Sequence, residues 1–208
     1  VFVDPELAIT QHLNSRLTEI GYRRSGAHLY RPDCGHCRAC ISCRIPVAQF
    51  SRGKRFQRIW NRNRDVRVET CAELSGDSAY LLYQEYIDKR HHDGDMYPAT
   101  PEQFDAFIRS DIEGGQYYSF YIEEKLIAVA VSDALDSGLS AVYTFFDPAL
   151  EKRSLGNFVI LWQIEQARRL GLDFLYLGYW IKDCAKMEYK SSFRPLQMLI
   201  EGNWVLVK

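Results

Sequence analysis

"QYYSFYIEEKLIAVAVSDALDSGLSAVYTFFDP", residues 116–148, holds three runs rich in β-branched and aromatic residues, broken at Glu123-Glu124 and at Asp136-Ser137-Gly138 by turn residues. The pattern predicts a three-stranded antiparallel meander. Downstream, residues 155–170 read as a helix closed by Gly171, and "DFLYLGYWI" reads as a further buried strand. Runs of strand followed by helix and strand place the chain in the α+β class with a mixed, mainly antiparallel sheet.

Working outward from that core, Asp4-Pro5-Glu6 supplies a capping residue and a proline for a helix carrying Leu13, Leu17 and Ile20 up to Gly21. "YRRSGAHLYR" predicts a hairpin around Ser25-Gly26, and "RIPVAQF" an extended segment. From Lys54 to Asn63 the period becomes helical, with Phe56, Ile59 and Trp60 on one face and Arg55, Arg58 and Arg62 on another. Asp77 and Ser78 begin a helix that runs to about Arg90. "HHDGDMYPAT" reads as an exposed loop, and "TPEQF" restarts a helix with Thr100 as cap and Gln103 completing a capping box. A boundary near residues 66–78 divides the chain into a cysteine-containing basic region, 1–70, and a second domain, 71–208.

The order strand, strand, strand, helix, strand is that of the core of GNAT acyltransferases, an order shared with other α+β domains. In such enzymes a small-residue loop at the helix start receives pyrophosphate. Here "RSLGNF" begins that way but places the bulky Phe158 where close approach is needed, which argues against coenzyme A.

No run of apolar residues is long enough for a membrane span, and "VFVDPELAIT" lacks the regions of a signal peptide, so a cytoplasmic location is expected. The net charge of -1 conceals an uneven distribution: residues 31–70 carry +7, which leaves -8 for the rest. Arg52, Lys54, Arg55, Arg58 and Arg62, joined by Arg64 and Arg67 and opposed only by Asp65, suit phosphate contact with a nucleic acid.

Cys34, Cys37, Cys40 and Cys43 follow C-x2-C-x2-C-x2-C, near the ferredoxin spacing. In a reducing compartment they read as ligands of an iron–sulfur cluster or zinc, or as reduced thiols on a tight loop. In "YLGYWIKDCAKMEYKSSFRP", Lys186, Lys190 and Arg194 recur at i, i+4 and i+8, so one helical face would align them for a carboxylate.

"LYRPDCGHCRACISCRIPV", "RNRDV", "YTFFDP", "RSLGNFVILWQIEQARRLGLDFLYLGYWI" and "CAKMEYKSSFRP" together resemble the arginyl-tRNA-protein transferase family, and the length is similar to its bacterial aspartate/glutamate leucyltransferase branch. The resemblance implies a GNAT-like domain that transfers an amino acid from aminoacyl-tRNA to the N-terminal amine of a protein with an acidic first residue. Such a product carries an N-degron that marks it for degradation, and the transfer needs no cofactor. It also implies that Arg52 to Arg67 hold the acceptor stem. Asp95 then becomes a candidate to hold the incoming ammonium, and Tyr143, Tyr179 or Tyr189 to relay a proton or bind the oxyanion. Arg44, Lys186, Lys190 and Arg194 are candidates for the acceptor's acidic side chain. Leucine is the expected donor group. Arginine transfer, a metal-bearing RNA-binding module and an acyl-CoA enzyme are the competing readings, and an apolar pocket would favour leucine over arginine.

Overall fold

The computed structural model describes residues 1–74, 76–109 and 112–207. Its first helix, α1 (Gln11–Glu19), starts at Gln11 and not at Pro5. Asp4 Oδ1 instead accepts from the Glu6 N–H at 3.0 Å in a local turn, and Thr10 caps the helix by accepting from the Leu13 N–H at 3.2 Å. The buried face of α1 is also not its apolar one: Asn14, Ser15 and Thr18 are buried, while Ile20 is 55% exposed. Hydrogen bonding explains the inversion, because Ser15 Oγ accepts from the Asp136 N–H at 2.8 Å and Asn14 Nδ2 donates to Asp133 Oδ2 at 3.3 Å.

The predicted hairpin forms from β1 (Arg23–Ser25) and β2 (His28–Tyr30), with Gly26 at φ +61° in the turn. Arg24 Nε donates to the same Asp133 Oδ2 at 2.9 Å, so helix and hairpin are fastened to one buried carboxylate.

β3 (Ile41–Pro46) leads to α2 (Lys54–Arg62), then come β4 (Arg67–Cys71), α3 (Ser78–Arg90) and α4 (Pro101–Phe107). The Thr100 hydroxyl caps α4 by accepting from the Gln103 N–H at 3.2 Å. β5 (Gly115–Ile122), β6 (Lys125–Ala134) and β7 (Gly138–Phe146) are the meander. α5 (Leu155–Arg169) crosses to β8 (Phe174–Trp180). The short α6 (Ala185–Glu188) follows, and then the hairpin of β9 (Leu196–Ile200) and β10 (Asn203–Val207).

One sheet takes the order β10-β9-β3-β8-β7-β6-β5-β4, with β7 and β8 parallel and the other neighbours antiparallel. Strand alternation splits the meander between two layers. Tyr118, Phe120, Ala128 and Ala130 join α5 and α2 in one core, while Tyr117, Val129, Val131 and Phe145 join α3 and α4 in the other. Because β3 lies inside the sheet and β4 at its edge, strands drawn from residues 1–70 and from 71–207 share a single sheet. Among the described residues no helix is long and apolar enough to cross a membrane.

Candidate active site

The parallel pair decides where a site can form. β7 and β8 hold register only from Gly138 to Ser140 against Phe174 to Tyr176. Beyond that point both strands are irregular: Val142 is skipped in the β6–β7 pairing, and Leu177 is skipped where Gly178 pairs with Cys43. Such bulges re-aim a strand, and here they open a wedge. Gly178, at φ +75°, lets Arg23 into it, since a Cβ there would lie 2.1 Å from the guanidinium carbon. Arg23 Nη2 donates to Ala141 O at 2.7 Å and to Val142 O at 2.9 Å, the two carbonyls that precede Tyr143.

Lys190, 7% exposed, donates from Nζ to Tyr179 O. Burial pulls its ammonium down to about 8, and the Arg23 charge acts in the same direction. Cys43, also buried, donates its thiol to Gly178 O at 3.2 Å, and burial pushes that thiol up to about 11. Tyr189 leaves part of its ring open at 41% exposure, yet burial at the hydroxyl end pushes it up to about 12.

Tyr143 forms the neighbouring wall. Its hydroxyl meets Met96 Sδ at 3.6 Å, and its ring packs edge-on to Phe107 at 5.1 Å. Burial pushes the pKa of its hydroxyl far above the ordinary tyrosine range, so at neutral pH this hydroxyl is a donor and not a base. Beside it, between the β1–β2 turn and α3–α4, opens a cavity of about 790 Å³ lined by Tyr83, Met96, Ala106 and Phe107, with the exposed Asp95 among its polar groups. The buried Tyr83 hydroxyl there has no hydrogen-bond partner among the described residues. Lys186 Nζ grips Asp93 at 3.0 Å and so ties α6 to the loop that presents Asp95 and Met96.

Other sequence candidates are placed elsewhere. Lys186, Lys190 and Arg194 do not share a helical face: α6 ends at Glu188 and a 3-10 turn follows, which leaves Lys190 buried and Arg194 exposed with its Nε on Ser191 O. Arg44 is a brace within the fold, because Nη1 binds both Glu19 carboxylate oxygens at 2.8 and 3.0 Å and Nε binds Gln197 Oε1 at 2.7 Å. Its guanidinium also lies against the Phe174 and Trp204 rings. Tyr179 commits its hydroxyl to Gly21 O at 2.8 Å.

Cys34 and Cys37 are exposed, Cys40 is half-buried and raised by burial and by those two neighbours, and Cys43 is turned away into the core. A four-cysteine metal site does not fit that arrangement. Among the described residues no three His, Cys, Asp or Glu side chains are grouped to hold a metal ion.

The start of α5 is also closed. Arg153 binds the Asp65 carboxylate through two 2.8 Å bonds, Asn63 Nδ2 binds Arg153 O at 2.9 Å, and a Cβ on Gly156 would press on the Phe146 ring at 3.2 Å. The turn after α2 therefore packs against the residues that lead into α5. The exposed face of α2, with Lys54, Arg55, Arg58 and Arg62, remains open, while Arg52 is half-buried against Trp60 and near Glu165.

Sequence reasoning missed Arg23. The signal for it is Gly178, a glycine inside an otherwise apolar strand, which marks close approach by another group.

A meander, a crossover helix and a splayed parallel strand pair holding the half-buried Arg23 and the buried Lys190, with a cavity nearby, define an acyltransferase-like fold. L-PGS from Bacillus licheniformis shares it at TM-score 0.53 and 10% identity, over 68% of this chain and 45% of that chain. The C-terminal domain of a putative lysylphosphatidylglycerol synthetase from Agrobacterium fabrum shares it at TM-score 0.50 and 14% identity, over 69% and 47%. The chain belongs to the arginine-tRNA-protein transferase family, matching its N terminus over residues 1–58 and its C terminus over residues 78–200. It is 49% identical over 207 residues to an aspartate/glutamate leucyltransferase of Pseudomonas fluorescens (strain Pf0-1), covering 100% of this chain and 88% of that protein. Over 205 residues it is 48% identical to one of Pseudomonas aeruginosa (strain LESB58), covering 99% and 87%.

Proposed function

We propose that this protein is a cytoplasmic aminoacyltransferase that moves leucine from leucyl-tRNA to the N-terminal amine of proteins beginning with Asp or Glu, creating an N-degron. The observation that carries the reading is the near-halfway identity, along the whole chain, to proteins named for that activity. The cavity beside Tyr143 supports leucine over arginine, since Tyr83, Met96, Ala106 and Phe107 offer an apolar wall to a branched side chain.

In the reaction the acceptor's neutral α-amine attacks the ester carbonyl carbon, a C–N bond forms, and the C–O bond to the ribose breaks. The amine proton leaves to solvent, and the ribose oxygen departs with a proton. Tyr143, held protonated by burial, donates a hydrogen bond to the oxyanion. Asp95 holds the incoming ammonium before it deprotonates, and the α2 face grips acceptor-stem phosphates. The ester is already reactive, so positioning supplies much of the rate.

The test presents an Asp-start peptide with tRNA charged with radiolabelled leucine or, separately, arginine. Label from leucine alone supports the reading. Label from arginine transfers the protein to the arginyl reaction, and no label with tRNA binding intact removes both.

A further inference from the structure

Of the basic side chains that the sequence reading named for an acidic acceptor residue, three have their charge committed or exposed. Arg44 is held by Glu19, Lys186 is held by Asp93, and Arg194 is exposed. Arg23 and Lys190 differ, for among the described residues neither is in an ion pair, and their printed partners are neutral backbone carbonyls. Arg23 uses only Nη2 for those bonds, so Nε and Nη1 remain without hydrogen-bond partners among the described residues. Two like charges placed together in a largely buried wedge disfavour the fold unless an anion arrives.

We propose that Arg23 and Lys190 form the receptor for the carboxylate side chain of the acceptor's first residue, in the wedge between β7 and β8. This rests on the reading of the protein as a transferase acting on acidic N-termini. Arg23 presents a planar fork and Lys190 a point charge beside it, a combination that binds a carboxylate at either Asp or Glu reach. The fork is anchored to the carbonyls of Ala141 and Val142. A carboxylate bound there therefore leaves its own α-amine beside Tyr143, where the ester is to be attacked. A neutral Asn or Gln has the same shape and forfeits the charge. A backbone phosphodiester of the tRNA is the competing anion. It is less well served here than by the open α2 face, because the wedge is enclosed by both strands and Lys190 is buried.

The experiment measures kcat/KM for leucyl transfer to peptides that differ only in starting with Asp, Glu or Asn, using wild type, Arg23→Gln, Arg23→Lys and Lys190→Met. The expected result is that Arg23→Gln lowers the Asp:Asn preference by roughly 10- to 100-fold, the range of a lost charge-assisted bond, and that Arg23→Lys restores part of it. Equal losses for Asp and Asn peptides would overturn the proposal, as would a raised KM for leucyl-tRNA with the preference unchanged, which assigns the pair to the phosphodiester. If Lys190→Met does not fold, the Arg23 variants carry the test. If wild type transfers leucine to no peptide, the functional reading fails separately. Binding of Asp- and Asn-start peptides by fluorescence anisotropy then decides the receptor: it stands if wild type prefers Asp and Arg23→Gln does not, and falls otherwise.

Discussion

Replacing Lys190 by methionine should make the protein more stable at neutral pH while impairing acidic-start acceptors. Burial lowers this ammonium from 10.5 to about 8. That shift corresponds to about 3 kcal/mol disfavouring the charged native form. Methionine removes the penalty and fills similar space, but it leaves Tyr179 O without its donor, which costs about 1–2 kcal/mol. The net expectation is a gain of roughly 1–2 kcal/mol at pH 7. The pH dependence has a definite sign. Between about 8 and 10.5 the unfolded chain keeps the Lys190 proton that the native protein has lost, so wild-type stability rises through that window and the variant's advantage disappears. The charges of Arg23, Cys43 and Cys184 also act on this ammonium, and the comparison is between the two proteins' urea unfolding free energies at pH 7 and at pH 10. A variant less stable than wild type at pH 7, or a difference that is the same at both pH values, would refute the reasoning.

Tyr143→Phe should lower kcat by about 100-fold, the scale of one lost oxyanion donor, with little change in Tm because among the described residues its hydroxyl bonds only the Met96 sulfur; a kcat within twofold of wild type removes Tyr143 from the chemistry. Exchanging both Arg55 and Arg58 for Glu should raise KM for leucyl-tRNA and flatten the log K against log salt slope by about two; an unchanged slope in filter binding contradicts the α2 interface. Asp133→Ala leaves Arg24 buried without its carboxylate and should destabilise the fold by about 3–5 kcal/mol in urea unfolding, and a loss under 1 kcal/mol would deny that pair its fastening role.

Local signals were legible and nonlocal ones were not. The meander, α2, α3, α4 and α5 follow from periodicity, turn residues and caps within a few positions of each helix or strand. Asp4-Pro5 misleads about α1 because an Asp side chain can satisfy a turn as readily as a helix end, and Thr10 is the better-placed cap. The burial of Asn14 and Thr18 depends on Asp133, more than a hundred residues away, which no local pattern encodes. The same holds for β3, whose place between β8 and β9 is set by pairing with strands near the C-terminal end of the chain. Within the site, Lys190 could be named from the sequence, since it stands in a polar stretch that follows a strand, whereas Tyr143, inside β7, follows only from the family resemblance. Arg44 was equally visible, but its saturation by Glu19 and Gln197 was not.

The central claim is that acidic first residues are selected as acceptors of leucine. Its most direct measurement is single-turnover transfer from radiolabelled leucyl-tRNA to matched peptides that begin with Asp, Glu, Asn or Ala, with an N-acetylated Asp peptide as control. The account predicts rapid labelling of the free Asp and Glu peptides, little on Asn or Ala, and none on the acetylated chain. Comparable labelling of Ala and Asp, or labelling of the acetylated peptide, would contradict it.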